Sequence, residues 1–369
     1  MSQEYNRPRA TSASWIVGIV GLAALAILAT SVIEVRSVRR ADRDGEDSRP
    51  EATPIFGVTA PMEIPPTAAL LPEVLSADDA TFHDGVWFVL DASADRIHRL
   101  SSSGEWLGSF GNRGQGPGEF AGRLAAIAAH GDSIAVLELA GHRLHLFDPN
   151  GEPVAARILR LDDCTVPAAS ELVSSPLGLL FLVICTQPDL RQEARVILET
   201  RSGFMRTLAT QGSDPQGAAI LGGFMWNTLS AHPSGFVFGS NIDECLRVHN
   251  LQGDVLESVC HDWMEPVPTP EEFVRGIRDR LAAMPDVRWT LPESFFPFFG
   301  LFVTEDNRWI YRITASDEPE SYVLATRDQD GHRLSVPRAR YVFVHEASAL
   351  VGWEDLEGTR IAIHLLEER

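Results

Sequence analysis

Residues 109–120 read SFGNRGQGPGEF and decide the fold of the chain. Four of eight consecutive residues here are glycine, which adopts positive φ at little cost, and Pro117 fixes a turn that cannot continue a strand ladder. The stretch follows an alternating apolar run, EWLGSF (105–110), and precedes another that begins at Leu124. It therefore joins two strands, either as a loop that cradles phosphate or as the connector between two copies of a repeat.

Self-similarity on both sides of this stretch favours the repeat. An acidic residue followed five positions later by arginine and an aliphatic residue occurs three times: Asp91/Arg96, Glu138/Arg143 and Asp355/Arg360. The first two copies are 47 residues apart, as are two turn glycines, Gly104 and Gly151. A dinucleotide loop does not explain this spacing, its glycines do not follow G-x-G-x-x-G, and Glu119 would crowd a pyrophosphate.

Short alternating apolar runs, broken by Gly, Asp, Asn or Pro every eight to twelve residues, predict an all-β domain over 68–369. We divide it into six units of four strands: 78–111, 124–159, 171–210, 227–262, 298–336 and 340–369. The last unit lacks a strand, which Ala69–Leu75 can supply to close the ring. The prediction is a six-bladed β-propeller of four-stranded blades.

Two stretches of the first blades resemble NHL-repeat propellers. The connector 110–120 is similar to the link between their blades, and VWFVLD with Arg96 and Ile97 (86–97) is similar to their second and third strands. The resemblance is clear over two blades and fades afterwards. It implies a six-bladed propeller often displayed outside the cytoplasm, and it implies no single activity, because this fold serves both binding modules and enzymes.

The segment before the propeller predicts a membrane anchor. Residues 15–35 contain a run of 19 residues without charge, about the length that a helix needs to cross a bilayer. A cleaved signal peptide is the alternative. We expect a cytoplasmic tail over 1–14 and a charged, proline-rich linker over 36–67.

Two features give opposite orientations for the propeller. Arginines are more frequent after the apolar run than before it, which by the positive-inside rule places the following domain in the cytoplasm. The cysteines oppose this, because they are even in number and fall into two local pairs: Cys164 with Cys185, and Cys245 with Cys260. Two disulfides imply an oxidising compartment. We expect an extracytoplasmic domain, with other pairings open; a bridge from Cys245 to Cys260 needs a bulge in its hairpin.

Charge and motifs restrict the function. The net charge of −20 without a basic block argues against nucleic-acid binding. No catalytic residue, metal ligand set or cofactor motif is recognisable. Propeller hydrolases and lactonases use a metal in the channel, but only Asn227 and Glu119 are candidates for such a set. The three acid/arginine pairs are expected to face each other across hairpins and to fix blade geometry.

One insertion, about 263–297, predicts a helix. Thr269-Pro270-Glu271-Glu272 is a helix start, and an aromatic cluster follows it. The insertion is either a small helix packed on the ring, or a lid or partner-binding face at the channel mouth. Five residues near this mouth are the predicted ligand-binding set: Arg113, Glu119, Asn227, Trp289 and Phe299.

The function predicted from sequence is a membrane-anchored, extracytoplasmic binding module without catalysis, whose ligand is a protein, peptide or glycan. The alternative is a metal-dependent propeller hydrolase, lactonase or lyase with its site at the channel mouth.

Overall fold

The computed structural model of the chain describes residues 60–61, 69–71, 74–139, 143–161, 164, 166–186, 192–212, 227–281, 292–314, 322–326, 333–336, 339, 341–346, 348–355 and 358–365. The predicted tail (1–14) and anchor (15–35) lie outside these residues, as does the linker (36–67) except for residues 60–61. No helix in the described ranges is long and apolar enough to cross a membrane.

The strands follow one another along the chain in groups. Two short strands come first: β1 (Ala60–Pro61) and β2 (Ala69–Leu71). The first sheet is β3 (Asp79–His83), β4 (Val86–Asp91), β5 (Arg96–Ser101) and β6 (Trp106–Phe110). The connector holds β7 (Asn112–Arg113) and β8 (Glu119–Phe120). The second sheet is β9 (Leu124–His130), β10 (Ser133–Glu138), β11 (Arg143–Phe147) and β12 (Pro153–Ile158).

The later sheets have the same order. The third is β13 (Val166–Ser175), β14 (Gly178–Thr186), β15 (Gln192–Thr200) and β16 (Met205–Gly212). The fourth is β17 (Asn227–His232), β18 (Gly235–Ser240), β19 (Cys245–His249) and β20 (Val255–Cys260). Then come β21 (Val267–Pro268), α1 (Glu271–Leu281) and β22 (Ser294–Phe295). The fifth contains β23 (Phe298–Val303), β24 (Trp309–Thr314), β25 (Tyr322–Thr326) and β26 (Arg333–Val336). The sixth contains β27 (Tyr341–His345), β28 (Ser348–Asp355) and β29 (Gly358–Leu365).

The expected count of six four-stranded blades needs correction. Within the described residues five sheets have four strands, while the fifth sheet along the chain has five. The extra strand is β1, in which Ala60 pairs in parallel with Leu334. This strand comes from the segment predicted to be a linker without structure. The structure is an all-β propeller. It has five four-stranded blades and, in addition, one five-stranded sheet.

The closing strand lies where the sequence predicted it. β2 pairs antiparallel with β29, and Ala69 lies opposite Ile361. The sixth sheet therefore has the order β2-β29-β28-β27 and combines a segment before the first sheet with the last strands described. This pairing covers an edge of β29 that would otherwise be open.

Continuous apolar runs form strands here because both faces of each sheet are buried. In β4, Trp87 and Val89 face the cluster shared with the sixth sheet, while Phe88 and Leu90 face the cluster shared with the second. All four side chains are buried. Further clusters fill the spaces between the other neighbouring sheets. Alternate side chains of β4 thus pack the first sheet against the sixth sheet on one face and against the second sheet on the other.

Local turn chemistry supports the hairpins. β3 and β4 are joined by Asp84 and Gly85, both with positive φ (48° and 81°). A two-residue turn with this geometry matches the twist of the paired strands, and Asp-Gly is among its favoured sequences. The predicted insertion contains α1, whose start follows Pro270 as expected, and β21 pairs with β22 at its base.

Candidate functional site in the central channel

The first strands of the sheets line the centre of the propeller. β3 packs against β9, β9 against β13, β13 against β17, β17 against β23, and β27 against β3. In a sheet of four strands the first is an edge, so its outward N–H groups find no partner within that sheet. Side chains of the neighbouring first strands supply several of the missing acceptors.

Asp79, at the start of β3, is one such side chain. Its carboxylate accepts hydrogen bonds from Ile127 N of β9 and from Ala80 N, each at 2.8 Å. The residue is half-buried. Burial raises the pKa of Asp79 to about 7, against the opposing effects of these two N–H donors and of Arg312.

Glu171 makes the same kind of contact on the other side of the ring. It lies in β13 at a bulge between Ala169 and Glu171, and its Oε2 accepts a hydrogen bond from Leu229 N of β17 at 2.6 Å. Burial raises the pKa of Glu171 to about 8, and the negative charge of Asp79 raises it further, while Leu229 N and Arg312 act in the opposite direction. The charge of Asp79 thus acts on Glu171, and Arg312 acts on both carboxyls.

Arg312 brings its positive charge to these two carboxyls from the second strand of the fifth sheet. Its Nη2 donates to the carbonyl of Phe299 at 2.6 Å, and its Nη1 donates to the carbonyl of Val342, on β27, at 3.4 Å. The ladder between β23 and β24 is irregular between Phe298 and Leu301, and a Cβ on Gly300 would lie only 3.2 Å from Arg312 Nε. The bulge and the missing side chain give the guanidinium its route past β23.

These contacts join neighbouring sheets, but joining alone does not require ionisable groups. Thr81 accepts a hydrogen bond from Ala129 N at 3.1 Å, so a neutral hydroxyl links β3 to β9 two residues beyond Asp79. Placing two carboxyls where burial raises their pKa into the neutral range is costly for stability. Titratable groups perturbed in this way inside a concave site are typical of functional sites.

The chemistry available is that of two exchangeable protons beside a permanent cation. Near neutral pH, Glu171 and Asp79 hold protons for part of the time, so each both donates and accepts hydrogen bonds. Arg312 only donates. The fit to a metal is poor, because the described residues contain no group of three or more His, Cys, Asp or Glu side chains that could hold one. Arg312 also places positive charge beside the two carboxyls.

Two predicted ligand residues, Arg113 and Glu119, lie on the connector and are engaged locally. Arg113 Nη1 lies 3.2 Å from Asp95 Oδ2, in an ion pair whose arginine is exposed and whose aspartate is buried. The carboxylate of Glu119 folds back over the loop, where it accepts hydrogen bonds from Gly116 N at 2.8 Å and from the side chain of Asn112 at 3.2 Å. These bonds lower the pKa of Glu119. Its own carboxylate thus occupies the place that a phosphate would need.

The other predicted ligand residues divide between the channel and undescribed chain. Asn227 begins β17, two residues before the N–H that binds Glu171. Phe299 supplies the carbonyl that holds Arg312, while its ring packs 6.2 Å from Phe295. Trp289 lies outside the described residues. Asp79, Glu171 and Arg312 are not among the residues predicted from sequence.

The acid/arginine hairpins have a different chemistry from that expected. Asp91 lies opposite Arg96, and Glu138 opposite Arg143, in the strand register. Each carboxylate, however, contacts a buried histidine: His98 Nε2 lies 3.3 Å from Asp91, and His145 Nε2 lies 3.0 Å from Glu138. The signal that could have identified these contacts is a histidine seven residues after the acid in both copies.

Asp91 has further partners. Its carboxylate accepts hydrogen bonds from Leu75 N at 2.7 Å and from the Ser76 hydroxyl at 2.9 Å. Although burial acts to raise it, the bonds from His98, Leu75 N, Ala94 N and Ser76 together lower the pKa of Asp91 to about 2. The prediction for the third pair is wrong. Asp355 and Arg360 are not cross-strand partners, because Arg360 lies opposite Trp353 and Asp355 lies opposite Gly358.

The cysteines form two disulfides, Cys164–Cys185 and Cys245–Cys260. Cys245 lies opposite Cys260, and the register between β19 and β20 shifts at Val248/His249, which is the bulge that this bridge requires. The described residues include all four cysteines, and none of them is free.

Comparison with known proteins identifies the architecture only. No protein-family model matches the chain, and no curated protein matches it. Among solved structures, a DUF4221 family member from Bacteroides vulgatus aligns with a TM-score of 0.54 at 10% identity, over 80% of this chain and 95% of that one. The chain is a β-propeller. A putative exported protein from Bacteroides fragilis aligns with a TM-score of 0.47 at 8% identity, over 85% of this chain and 96% of that one.

A gluconolactonase from Xanthomonas campestris also aligns with this propeller, with a TM-score of 0.42 at 11% identity, over 79% of this chain and 87% of that one. Identities this low establish similarity of fold and leave the function to be argued from the site.

Proposed function

We propose that this propeller is an extracytoplasmic binding protein whose channel takes a neutral, hydroxyl-rich ligand of the glycan class. The observation that carries the proposal is that Asp79 and Glu171 each bind a backbone N–H of the neighbouring first strand, with both carboxyl pKa values raised towards neutral and both influenced by Arg312. Protonated carboxyls and a guanidinium offer donors and acceptors together, which is what sugar hydroxyls need. With the two carboxyls partly ionised beside one guanidinium, the three groups carry little net charge near neutral pH, which favours a ligand without net charge.

The test uses the full-length chain and a panel of neutral oligosaccharides, with affinities measured by calorimetry from pH 6 to 9. We expect the affinity to fall as the pH rises through about 8, because Glu171 then loses the proton that it donates. Glu171→Gln keeps a donor and an acceptor without titrating, so its binding should persist at pH 9. Glu171→Leu should bind at least tenfold more weakly.

The matched control is Glu257→Leu, since Glu257 is exposed on β20. It should bind as the wild type does. Equal affinities for Glu171→Gln and Glu171→Leu at all pH values would mean that Glu171 makes no hydrogen bond to the ligand, and would contradict the proposal.

A second candidate function, acid–base catalysis, is favoured by one observation. General acids and bases work best with a pKa near the working pH, and the pKa of Glu171 is about 8. A hydrolase or lyase using Glu171 would lose turnover in Glu171→Gln, whereas a binding protein would retain its affinity. The same variant therefore distinguishes the two candidates. A metal-dependent reaction at this site lacks support, because the donor set does not fit a metal ion.

We propose an extracytoplasmic location, with residues 15–35 as an uncleaved anchor. The two disulfides support the location, because such bonds persist in oxidising compartments. Thiol labelling in intact cells, with and without reductant, tests it by mass spectrometry. Four cysteines blocked until reduction agree with export; four reactive thiols would place the domain in the cytoplasm.

We also propose that the first two blades are of the NHL type. The support is the 47-residue spacing together with equivalent strand registers, in which Asp91 and Glu138 occupy matching positions opposite Arg96 and Arg143.

A further inference from the structure

A groove of about 340 Å³ lies at the outer side of the second sheet, beside the glycine-rich connector. Connector residues 115–118 form one side of it. Arg143, His145 and Phe147 of β11 and residues 153–156 of β12 form the rest. None of these residues belongs to the channel site, so the groove is a separate place for a ligand.

The lining indicates an extended occupant. Arg143, His145 and Phe147 alternate along β11, so they lie on one face of the sheet. On β12, by contrast, four consecutive residues line the groove. Consecutive side chains of a strand point to opposite faces, so a groove that meets all four runs along the edge of the strand. β12 is the outermost strand of its sheet and pairs only with β11 among the described strands.

An outermost strand presents unpaired N–H and C=O groups that another strand can use. Peptides that bind in this way obtain affinity from main-chain hydrogen bonds and specificity from pockets for alternate side chains. The apolar residues here, Phe147, Pro153 and the exposed Val154, would contact the apolar side chains of such a peptide.

The charge of the residues that line the groove indicates the charge of the peptide that would bind there. The chain carries a net charge of −20, yet no Asp or Glu lines the groove. Glu138, the cross-strand partner of Arg143, is engaged by His145 at 3.0 Å. Within the part of the chain that the structure describes, the Arg143 guanidinium has no ion pair. It is therefore available to a carboxylate from outside.

We propose that this groove binds an extended peptide segment bearing a carboxylate side chain, which adds along the edge of β12 and pairs with Arg143. This activity is independent of the channel ligand. The first sheet provides the matched residue, because Arg96 occupies the position equivalent to Arg143, 47 residues earlier, and is exposed. Arg96 does not line the groove.

The experiment measures fluorescence anisotropy of a labelled hexapeptide of alternating valine and threonine with one central glutamate, added to the full-length chain. The same peptide with glutamine is the second probe. We expect Arg143→Gln to weaken the glutamate peptide at least tenfold and to leave the glutamine peptide unchanged. Arg96→Gln should alter neither. Equal effects of the two variants, equal binding of the two peptides, or no binding at millimolar concentration would overturn the proposal.

Hydrogen exchange locates the bound peptide. We expect slower exchange of the backbone amides of β12 and no change in β20, the outermost strand of the fourth sheet. Leu256 on β20 matches Val154 in position and exposure, so Val154→Asp should weaken binding while Leu256→Asp should not. Protection confined to β3 and β13 would place the peptide in the channel and contradict the groove.

Discussion

Glu119 on the connector and Glu171 in the channel are both half-buried glutamates whose carboxylates accept a backbone N–H. Their pKa values nevertheless move in opposite directions. The bonds from Gly116 and Asn112 lower that of Glu119, whereas burial raises that of Glu171 to about 8. The difference lies in the surroundings: Glu119 closes on its own loop next to solvent, while Glu171 lies between strands and is influenced by the charge of Asp79.

This comparison separates a carboxylate that organises its own loop from one that is available for chemistry. The partners of Glu119 lie within seven residues of it. Those of Glu171 come from strands far apart in the chain. The predictions below test this contrast, from the largest expected effect to the smallest.

Arg312→Met should have the largest effect on stability. It leaves the carbonyls of Phe299 and Val342 without their donor, and it removes the positive charge beside Asp79 and Glu171. Leaving a carbonyl without its donor costs about 1–3 kcal/mol, and here two carbonyls lose theirs. Urea unfolding of the full-length chain measures this loss. A loss equal to that of Arg113→Met, which removes a largely exposed guanidinium, would show that Arg312 contributes no more to stability than an arginine at the surface.

The pH dependence of stability should differ between the two glutamates. The raised pKa values of Asp79 and Glu171 mean that the folded state holds protons that the unfolded state has released. The stability that these two carboxyls contribute should therefore be fully present near pH 4, fall as the pH rises to about 8, and level off above it. Melting temperatures across this range measure the slope.

Asp79→Asn combined with Glu171→Gln should flatten this slope. Glu119→Gln should not, because the lowered pKa of Glu119 contributes stability that is lost only as the pH falls through that lowered value. A slope unchanged in the double variant would mean that other groups cause it.

Gly300→Ala should have an intermediate effect. The added Cβ would lie 3.2 Å from Arg312 Nε, and the guanidinium cannot retreat without losing its bonds to Phe299 and Val342. We expect a loss of about 1–3 kcal/mol, in the range for overpacked sites. We expect the affinity for the oligosaccharide to fall as well. An unchanged free energy of unfolding would show that Arg312 has room to move.

Gly114→Ala should have the smallest effect. Its Cβ would clash with the Glu119 carboxylate, but that carboxylate is the far end of a flexible side chain near solvent. We expect the bonds to Gly116 and Asn112 to be lost with little change in melting temperature and none in oligosaccharide affinity. A loss as large as that of Gly300→Ala would reverse the ranking of the two sites.

Much of the fold is encoded locally and could be predicted. The runs that alternate between two buried faces, the Asp84-Gly85 turn, the 47-residue spacing and the closing strand near Ala69 are all visible in the sequence. The extra strand β1 could not be predicted, because two residues in a proline-rich segment carry no strand pattern of their own.

The channel site could not be predicted, because closure of the ring creates it. Asp79, Glu171 and Arg312 are separated by 92 and 141 residues, and their proximity depends on the arrangement of all the sheets. The signal available was weak: Arg312 is a lone charge within the apolar strand WIYRIT, and Glu171 interrupts AASELVSS. Ligand residues were predicted on the connector, at Arg113 and Glu119, because its glycines are close together in the sequence.

The pairing of β2 with β29 imposes an order of events on folding. Ala69 cannot pair until Ile361, its partner nearly three hundred residues later in the chain, has been synthesised. A chain emerging from the ribosome or a translocation pore can assemble its early hairpins, but the circle stays open until β29 has emerged. During that interval β2 has no partner strand, and slow contacts of this kind expose a chain to aggregation. The junction of β2 and β29 is therefore where we expect a chaperone to be most needed.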